Sequence, residues 1–237
     1  GVPGEARRVR IFLRGQLQGM GFRPFIYNLA QGMGLKGWVR NSPQGVLLEA
    51  EGDFLHLQNF IRHIRKEAPP QAQIQEMETR FLDSLGYDAF TIAPSEEQEG
   101  ANLFIMPDTA TCSDCLDEIF DSNNRRYLYP FTHCIQCGPR FSIIESLPYD
   151  RERTAMKSFT MCEPCKEEYQ NPEDRRFHSQ SNSCAECGPQ LELWGAKGNI
   201  LSARHNALKG AVKAIREGAV VALKSLGGFQ LMVDAGN

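Results

Sequence analysis

The chain has 237 residues, of which 41% are hydrophobic and 23% are charged, and its formal net charge at pH 7 is −3. Nothing in it approaches the 18 consecutive apolar residues that a membrane-spanning helix needs. This composition is typical of a cytoplasmic globular protein with one or two domains.

The first part of the chain, residues 7–94, contains no cysteine and predicts a small α+β domain. Apolar residues recur at helical spacing over 23–33 and 53–66, whereas short runs with strand character flank them. The predicted strands cover 9–13, 38–39, 46–50, 74–77 and 90–92. The resulting order, βαββαβ, is that of a ferredoxin-like sandwich.

A glycine-rich turn joins the first strand to the first helix, with the sequence Gly15-Gln-Leu-Gln-Gly-Met-Gly-Phe-Arg23. A glycine-rich turn into a helix N-terminus exposes successive backbone N–H groups to an anion, and a guanidinium can bind two phosphate oxygens at once. The turn therefore predicts a phosphate site, although its glycines would equally serve a turn without a ligand. The expected phosphate-binding residues are Gln18, Gly19, Met20, Gly21, Phe22 and Arg23.

An acidic, polar segment, Ser95-Glu-Glu-Gln-Glu-Gly100, follows this domain and predicts a linker over residues 95–111. A cysteine-rich module is expected after it, over residues 112–190. From about residue 205 the sequence changes again, to a cysteine-free pattern of helix and strand.

All eight cysteines fall in four Cys-x-x-Cys pairs, and the gaps between the pairs are 18, 24 and 18 residues. Residues 112–139 are repeated at an offset of 50 as residues 162–189, and the agreement includes Arg125-Arg126-Tyr127 with Arg175-Arg176-Phe177. Two Cys-x-x-Cys turns supply four thiolates to one tetrahedral Zn²⁺. We therefore expect two structural zinc ions, one for each repeat. The ligands are Cys112, Cys115, Cys134 and Cys137 for the first and Cys162, Cys165, Cys184 and Cys187 for the second.

Other readings of the cysteines are weaker. Disulfides need an oxidising compartment, a redox Cys-x-x-Cys normally opens the helix of a βαβ unit, and a Cys₄ iron site has the same ligands. Ligand count alone also allows a crossed pairing, first pair with fourth and second with third. His133 and His178 are candidate ligands, but four sulfurs already complete each tetrahedron.

The charge of the module argues against nucleic-acid binding. Residues 112–190 hold 13 acidic and 9 basic side chains, and each Zn²⁺ with four thiolates adds a formal −2. Because nucleic-acid modules need a basic surface, this acidic module is a poor candidate for binding DNA or RNA. Its zinc sites are expected to be structural, since four thiolates leave no open coordination position.

Two segments of the first domain resemble the signatures of the acylphosphatase family: Gly15-x-x-Gln18-Gly19-Met20-Gly21-Phe22-Arg23 and Gly37-Trp38-Val39-Arg40-Asn41-x-x-x-Gly45. The resemblance implies that Arg23 binds the phosphoryl group of an acyl phosphate and that Asn41 orients the attacking water. Met20 stands where that family often has valine, and the strand after Gly45 reaches Gly52 about one residue early. Neither difference affects Arg23 or Asn41.

An acylphosphatase-like domain followed by this cysteine spacing resembles the HypF carbamoyltransferases of [NiFe]-hydrogenase maturation. Local sequences agree as well, among them Tyr129-Pro-Phe-Thr-His-Cys134 and Tyr149-Asp-Arg-Glu-Arg-Thr154. Residues 205–237 resemble the start of a YrdC-like nucleotide-binding domain, so we expect the chain to be the front part of a longer polypeptide. Lys224 would by resemblance lie near phosphates or carbamate in that domain.

The HypF resemblance implies a specific reaction. The full enzyme takes carbamoyl phosphate and ATP, forms a carbamoyl adenylate, and carbamoylates the C-terminal cysteine of the partner HypE. The present residues are expected to cleave carbamoyl phosphate but not to use ATP. The alternative is a zinc-stapled docking scaffold with a non-catalytic anion site, and the intact Arg23 and Asn41 pair favours the enzyme. The apolar face of residues 206–233 is expected to lack the sheet that would cover it.

Overall fold

The computed structural model describes residues 6–96 and 107–236. In its first part a five-stranded sheet has the order β4-β1-β3-β2-β5, with β5 parallel to β2 and the other neighbours antiparallel. The strands and helices, in chain order, are β1 (Ala6–Gln16), α1 (Phe22–Gly32), β2 (Lys36–Ser42), β3 (Gly45–Asp53), α2 (Phe54–Glu67), β4 (Gln73–Asp83) and β5 (Phe90–Ile92). The predicted α+β, ferredoxin-like class is confirmed, and all five predicted strands are present, with β5 at the predicted residues 90–92.

The core lies between one face of the sheet and the two helices. Side chains at alternate positions of β1, namely Val9, Ile11 and Leu13, are completely buried, as strand geometry requires. Helix α2 begins at Phe54 because the Asp53 carboxylate accepts a hydrogen bond from the Leu55 N–H at 2.9 Å. The inward stripe of α2 consists of Leu57, Phe60 and Ile64.

The cysteine-rich region contains little regular structure, and its two repeats are built alike. Helices α3 (Ser113–Phe120) and α4 (Glu163–Gln170) each begin right after the first cysteine of a repeat. In both repeats the residue after the Arg-Arg-aromatic sequence has a left-handed backbone: φ is 55° at Leu128 and 53° at His178. The sequence duplication is therefore also a structural one.

The last part of the chain forms two β-hairpins around a helix. The elements are β6 (Glu192–Trp194), β7 (Ile200–Ala203), α5 (Arg204–Arg216), β8 (Val221–Ser225) and β9 (Gly228–Met232). The expected helix and strands are present, and the β6–β7 hairpin was not predicted. Several apolar side chains of β8, β9 and the following residues are exposed. None of the described helices is both long and apolar enough to cross a membrane.

The chain divides into two compact units that do not follow the predicted domains. The first comprises residues 1–110, 134–158 and 166–182, and the second comprises 111–133, 159–165 and 183–237. The sheet thus belongs to the same unit as two stretches of the cysteine-rich region. The predicted boundaries at residues 7–94, 112–190 and 205–237 stay predictions, and most of the expected linker, residues 97–106, lies outside the described residues.

Candidate functional site: an anion cradle and two cysteine clusters

The turn between β1 and α1 has the geometry of an anion cradle. Gly19 and Gly21 have φ values of 79° and 71°, which glycine adopts without steric cost. Within the described part of the chain, the backbone N–H groups of Gly19, Met20 and Gly21 donate to no other group. Gly21 precedes the first residue of α1, so these donors lie at the positive end of the helix.

The side chain of Gln18 holds this turn in place. Its amide nitrogen donates to the carbonyl oxygens of Ser42 at 3.0 Å and Gly45 at 3.1 Å, and its Oε1 accepts from the Tyr149 N–H at 3.2 Å. Gln18 therefore fixes the turn against the β2–β3 hairpin. Its side chain serves the turn, so its contribution to an anion would come from the backbone.

The two predicted catalytic residues line one cavity. Asn41 lies near the end of β2 and is 2% exposed, whereas Arg23 lies in the first turn of α1 and is 9% exposed. The cavity is also lined by the turn, by Arg140 and by residues of the second cysteine repeat. The structure thus brings together the residues that the two sequence signatures pointed to.

Arg23 is already engaged by an acidic partner that the sequence analysis did not identify. Its Nη2 donates to Asp150 Oδ1 at 2.7 Å and to the Tyr149 carbonyl at 3.3 Å, and its Nη1 donates to Ser95 Oγ at 3.1 Å. The negative charge of Asp150 therefore offsets the positive charge of the Arg23 guanidinium, to which a phosphate would bind.

A polar run, residues 178–181, forms another side of the cavity. Its side chains are His178, Ser179, Gln180 and Ser181, whereas the first repeat has Leu128, Tyr129, Pro130 and Phe131 at the same positions. Ser179, Gln180 and Ser181 are at most 5% exposed, and burying polar groups is costly unless they are hydrogen-bonded. Arg151 donates to the Gln180 carbonyl at 2.9 Å, and Gln180 Oε1 accepts from the Arg151 N–H at 2.9 Å. A comparison of the two repeats could have singled out this run from the sequence.

His178 is held as a neutral ring. Burial, reinforced by the positive charge of Arg23, lowers the pKa of His178 from 6.5 to about 4, against the opposite effect of Asp150. Its ring packs against Tyr169 and Phe177, with centroids 4.9 and 4.7 Å away. His178 thus contributes to the cavity and not to either cysteine cluster.

The eight cysteines are free and form two clusters in sequence order. Within each cluster the four sulfurs lie within 4.8 Å of one another. The first cluster contains Cys112, Cys115, Cys134 and Cys137, and the second contains Cys162, Cys165, Cys184 and Cys187. Histidine is absent from both among the described residues.

The sulfur geometry fits a tetrahedral zinc ion. A Zn–S bond of about 2.3 Å gives sulfur–sulfur separations of about 3.8 Å at the edges of a tetrahedron. The separations are 3.8 Å for Cys134–Cys137 and, in the second cluster, 3.6 Å for Cys162–Cys184 and for Cys165–Cys187. Because four thiolates fill the tetrahedron, neither cluster keeps a coordination position for a substrate.

The Arg125–Arg126 pair supports the second cluster. Arg125 Nη2 donates to Cys165 Sγ at 3.0 Å, and Arg126 donates to the same sulfur at 3.7 Å and to the Ser183 carbonyl at 3.0 Å. A cation beside a thiolate ligand offsets the negative charge of a Cys₄ site. The sequence analysis noted these arginines only as part of the repeat and missed this role.

Comparison with known proteins gives consistent matches along the whole chain. The acylphosphatase family model matches residues 9–92, and the HypF finger model matches residues 111–144 and 161–194. The carbamoyltransferase HypF of Synechocystis sp. is 46% identical over 97% of this chain. A probable carbamoyltransferase HypF of Methanocaldococcus jannaschii is 43% identical over 98%.

The chain belongs to the HypF family. It spans about 30% of the length of the curated HypF relatives it matches. It is also similar to a crystal structure of full-length HypF in the phosphate- and nucleotide-bound form, with 42% identity, a TM-score of 0.90, and coverage of 99% of this chain and 30% of that one. The structure of T. kodakarensis HypF gives a TM-score of 0.87 at 40% identity, over 98% of this chain and 29% of that one.

Lys224, which the HypF resemblance suggested near a nucleotide, lies on the surface of the β8–β9 hairpin. Its Nζ donates to the Ser225 carbonyl at 2.9 Å and lies 5.5 Å from the centre of the Phe229 ring. Both contacts are within the hairpin, and they do not identify a ligand for Lys224.

Proposed function

We propose that this chain binds carbamoyl phosphate in the cavity between the Gln18–Phe22 turn and Asn41 and cleaves it to carbamate and phosphate. The observation that carries the proposal is the convergence of three groups on one cavity: backbone N–H donors of the turn that have no partner among the described residues, the Arg23 guanidinium and the Asn41 amide. These are the groups that stabilise an anion in hydrolysis, which needs positioning and charge stabilisation and no protein nucleophile.

In the proposed reaction the turn and Arg23 hold the phosphoryl oxygens. Asn41 holds a water against the phosphorus; the new P–O bond forms as the bond to the carbamoyl oxygen breaks, and carbamate leaves. Phosphate must displace Asp150 from Arg23 or share the guanidinium with it, since the guanidinium has five N–H donors.

We further propose that each cysteine cluster holds one structural zinc ion, which supplies folding energy and no chemistry. Anomalous scattering at the zinc edge should show two sites per chain, at the two clusters. One metal, or none in a reduced preparation, would contradict this.

For the complete protein, the proposal follows from its relatives, which are carbamoyltransferases. The carbamoyl group would be activated with ATP as a carbamoyl adenylate and transferred to the C-terminal cysteine of HypE. Dehydration of the thiocarboxamide would then give the thiocyanate that supplies cyanide to the hydrogenase iron. The crystal structure of a HypF with bound phosphate and nucleotide is compatible with this order of reaction steps.

The experiment is phosphate release from carbamoyl phosphate by the wild-type chain, Arg23→Ala and Asn41→Ala. Removing Arg23 should lower kcat/KM by about 10²–10³, because one donor to a developing oxyanion contributes about 3–4 kcal/mol. Asn41→Ala should lower kcat with little change in phosphate affinity. Arg62→Ala, an exposed arginine on α2, is the matched control and should be fully active.

A second candidate function, a docking scaffold whose anion site is not catalytic, is favoured by one observation: Asp150 already pairs with Arg23. In that case wild type and Arg23→Ala would release phosphate equally slowly, at the rate of the uncatalysed reaction.

A further inference from the structure

Arg140 connects the first cysteine cluster to the anion cradle. It follows the Cys134–Cys137 pair in the sequence Cys137-Gly-Pro-Arg140, is 5% exposed and lines the same cavity as Arg23 and Asn41. A buried arginine requires a set of acceptors, and those of Arg140 fall in two groups.

Four of the five hydrogen bonds of its side chain hold the Cys-x-x-Cys turn. Nη1 donates to the carbonyls of Cys137 and Pro139 at 3.0 and 2.8 Å, and Nη2 donates to those of Ile135 and Cys134 at 2.6 and 3.5 Å. The fifth bond leaves this turn: Nε donates to the Gly19 carbonyl at 2.6 Å. Among the described residues, the acceptors of the guanidinium are thus all neutral carbonyl oxygens, whereas the Arg140 backbone N–H donates to the Asp108 carboxylate at 2.7 Å.

The second repeat shows that holding the cysteine turn does not require arginine. Gln190 occupies the equivalent position, at the offset of 50, and its amide donates to the carbonyls of Ala185 and Gly188. Ala185 corresponds to Ile135, so glutamine makes one of the bonds that Arg140 makes. What Arg140 adds is its positive charge, the bond to Gly19, and bonds to the carbonyls of Cys134, Cys137 and Pro139.

The bond to Gly19 matters because the Gly19–Met20 peptide can face in two directions. A glycine in the left-handed region has no side chain to resist rotation of the next peptide, and Gly19 has φ 79°. Because the N–H and the C=O of a trans peptide point in opposite directions, rotation by half a turn would exchange the places of the Met20 N–H and the Gly19 carbonyl oxygen. A carbonyl oxygen would repel phosphate, whereas Arg140 binds that oxygen and keeps it in place.

We propose that Arg140 is a positioning residue for the anion site: it fixes the Gly19–Met20 peptide in the anion-binding orientation and adds a buried positive charge beside it. This inference rests on the proposed function, since it assigns Arg140 a part in the same site. Arg140 acts through the turn and is not assigned a contact with the reacting atoms.

The test compares Arg140→Gln with wild type. This substitution places the residue of the second repeat at position 140, so the cysteine turn keeps its acceptor contact while the Gly19 bond and the charge are lost. Inorganic phosphate is the ligand, titrated by calorimetry and by the amide NMR signals of Met20 and Gly21. Phosphate affinity should fall at least about tenfold, as expected for loss of a charge-assisted hydrogen bond, and KM for carbamoyl phosphate should rise more than kcat falls.

Arg140→Lys is the second variant. It keeps the positive charge but loses the planar guanidinium with its five N–H donors. It should bind phosphate with an affinity between wild type and Arg140→Gln. Zinc content and thermal unfolding are measured in both variants. Unchanged phosphate affinity in Arg140→Gln would overturn the proposal, and so would loss of zinc or of the fold, because Arg140 would then serve the cysteine turn alone.

The outcomes for the two proposals are distinct. If wild type binds phosphate but does not hydrolyse carbamoyl phosphate, the proposed function fails while the phosphate titration still tests Arg140. If wild type hydrolyses carbamoyl phosphate and Arg140→Gln matches it in affinity and KM, the function stands and the role of Arg140 fails.

Discussion

At the scale of single residues, the pairing of Arg23 with Asp150 should set the affinity of the proposed site for phosphate. The ion pair is 2.7 Å long and only partly exposed, so water screens it incompletely. Asp150→Asn removes a negative charge next to the site, and we expect phosphate affinity to rise by up to about tenfold. Calorimetric titration with phosphate measures this, with Asp88→Asn as an exposed control. Weaker binding by Asp150→Asn would mean that the carboxylate mainly orients Arg23.

His178 predicts a pH dependence of stability. Its pKa is lowered from 6.5 to about 4 in the folded chain, chiefly by burial and then by Arg23. Between these values the unfolded chain binds a proton that the folded chain does not, so stability is lost as the pH falls below 6.5. The contribution lost between pH 7 and pH 5 is about 2 kcal/mol.

The measurement is urea unfolding at pH 7 and pH 5 for wild type and His178→Gln. Acid also affects the zinc ligands, but it affects them equally in both proteins, so the difference between the two isolates His178. Equal pH dependence in the two proteins would show that the ring is protonated in the folded chain.

At the scale of elements, the first repeat supports the second through arginine. Arg125, from the first repeat, donates to the sulfur of Cys165 in the second cluster at 3.0 Å. Loss of such a contact typically lowers metal affinity about 10–100-fold. In Arg125→Ala, competition with a metallochromic chelator should therefore release one of the two zinc ions about tenfold more easily. Lys209→Ala, on the exposed side of α5, should release both as wild type does. If Arg125→Ala releases both zinc ions as wild type does, Arg125 does not stabilise the second cluster.

The sequence predicted the elements and clusters that depend on local pattern, and it missed contacts that depend on the folded chain. The spacing of apolar residues located α1, α2 and all five strands of the first sheet, and the cysteine spacing paired the cysteines in the order that the structure shows. Asp150, by contrast, is 127 residues from Arg23, and no local pattern indicates such an ion pair. The backbone of the cysteine-rich region is irregular and brings the cysteines together without a helical or strand period, so its long-range contacts leave no periodic signal in the sequence.

At the scale of the whole molecule, the second compact unit carries an apolar surface that its own residues leave uncovered. Phe229 and Leu231, on β9, are 72% and 75% exposed, and Leu226, in the turn before them, is 62% exposed. Contiguous exposed apolar surface promotes association of a protein with itself or with other apolar surfaces. Of the apolar face expected to lack a covering sheet, Leu208, Val212, Val220 and Leu223 are 36%, 39%, 63% and 37% exposed, whereas Ile215 and Val221 are partly buried.

The surface predicts the effect of polar substitutions on association. Phe229→Ser with Leu231→Ser should reduce binding of the dye ANS and shift the chain toward monomer in size-exclusion chromatography, because both side chains lie in water. The melting temperature should change little, since substitutions of exposed residues usually change stability by less than about 0.5 kcal/mol. Ala207→Asp, at a position of α5 that is 3% exposed, is the contrasting variant and should lower the melting temperature, because it buries a charge without a designed partner. If the double variant instead loses several degrees of melting temperature without any change in ANS binding, the two side chains are packed in solution and the apolar surface is covered.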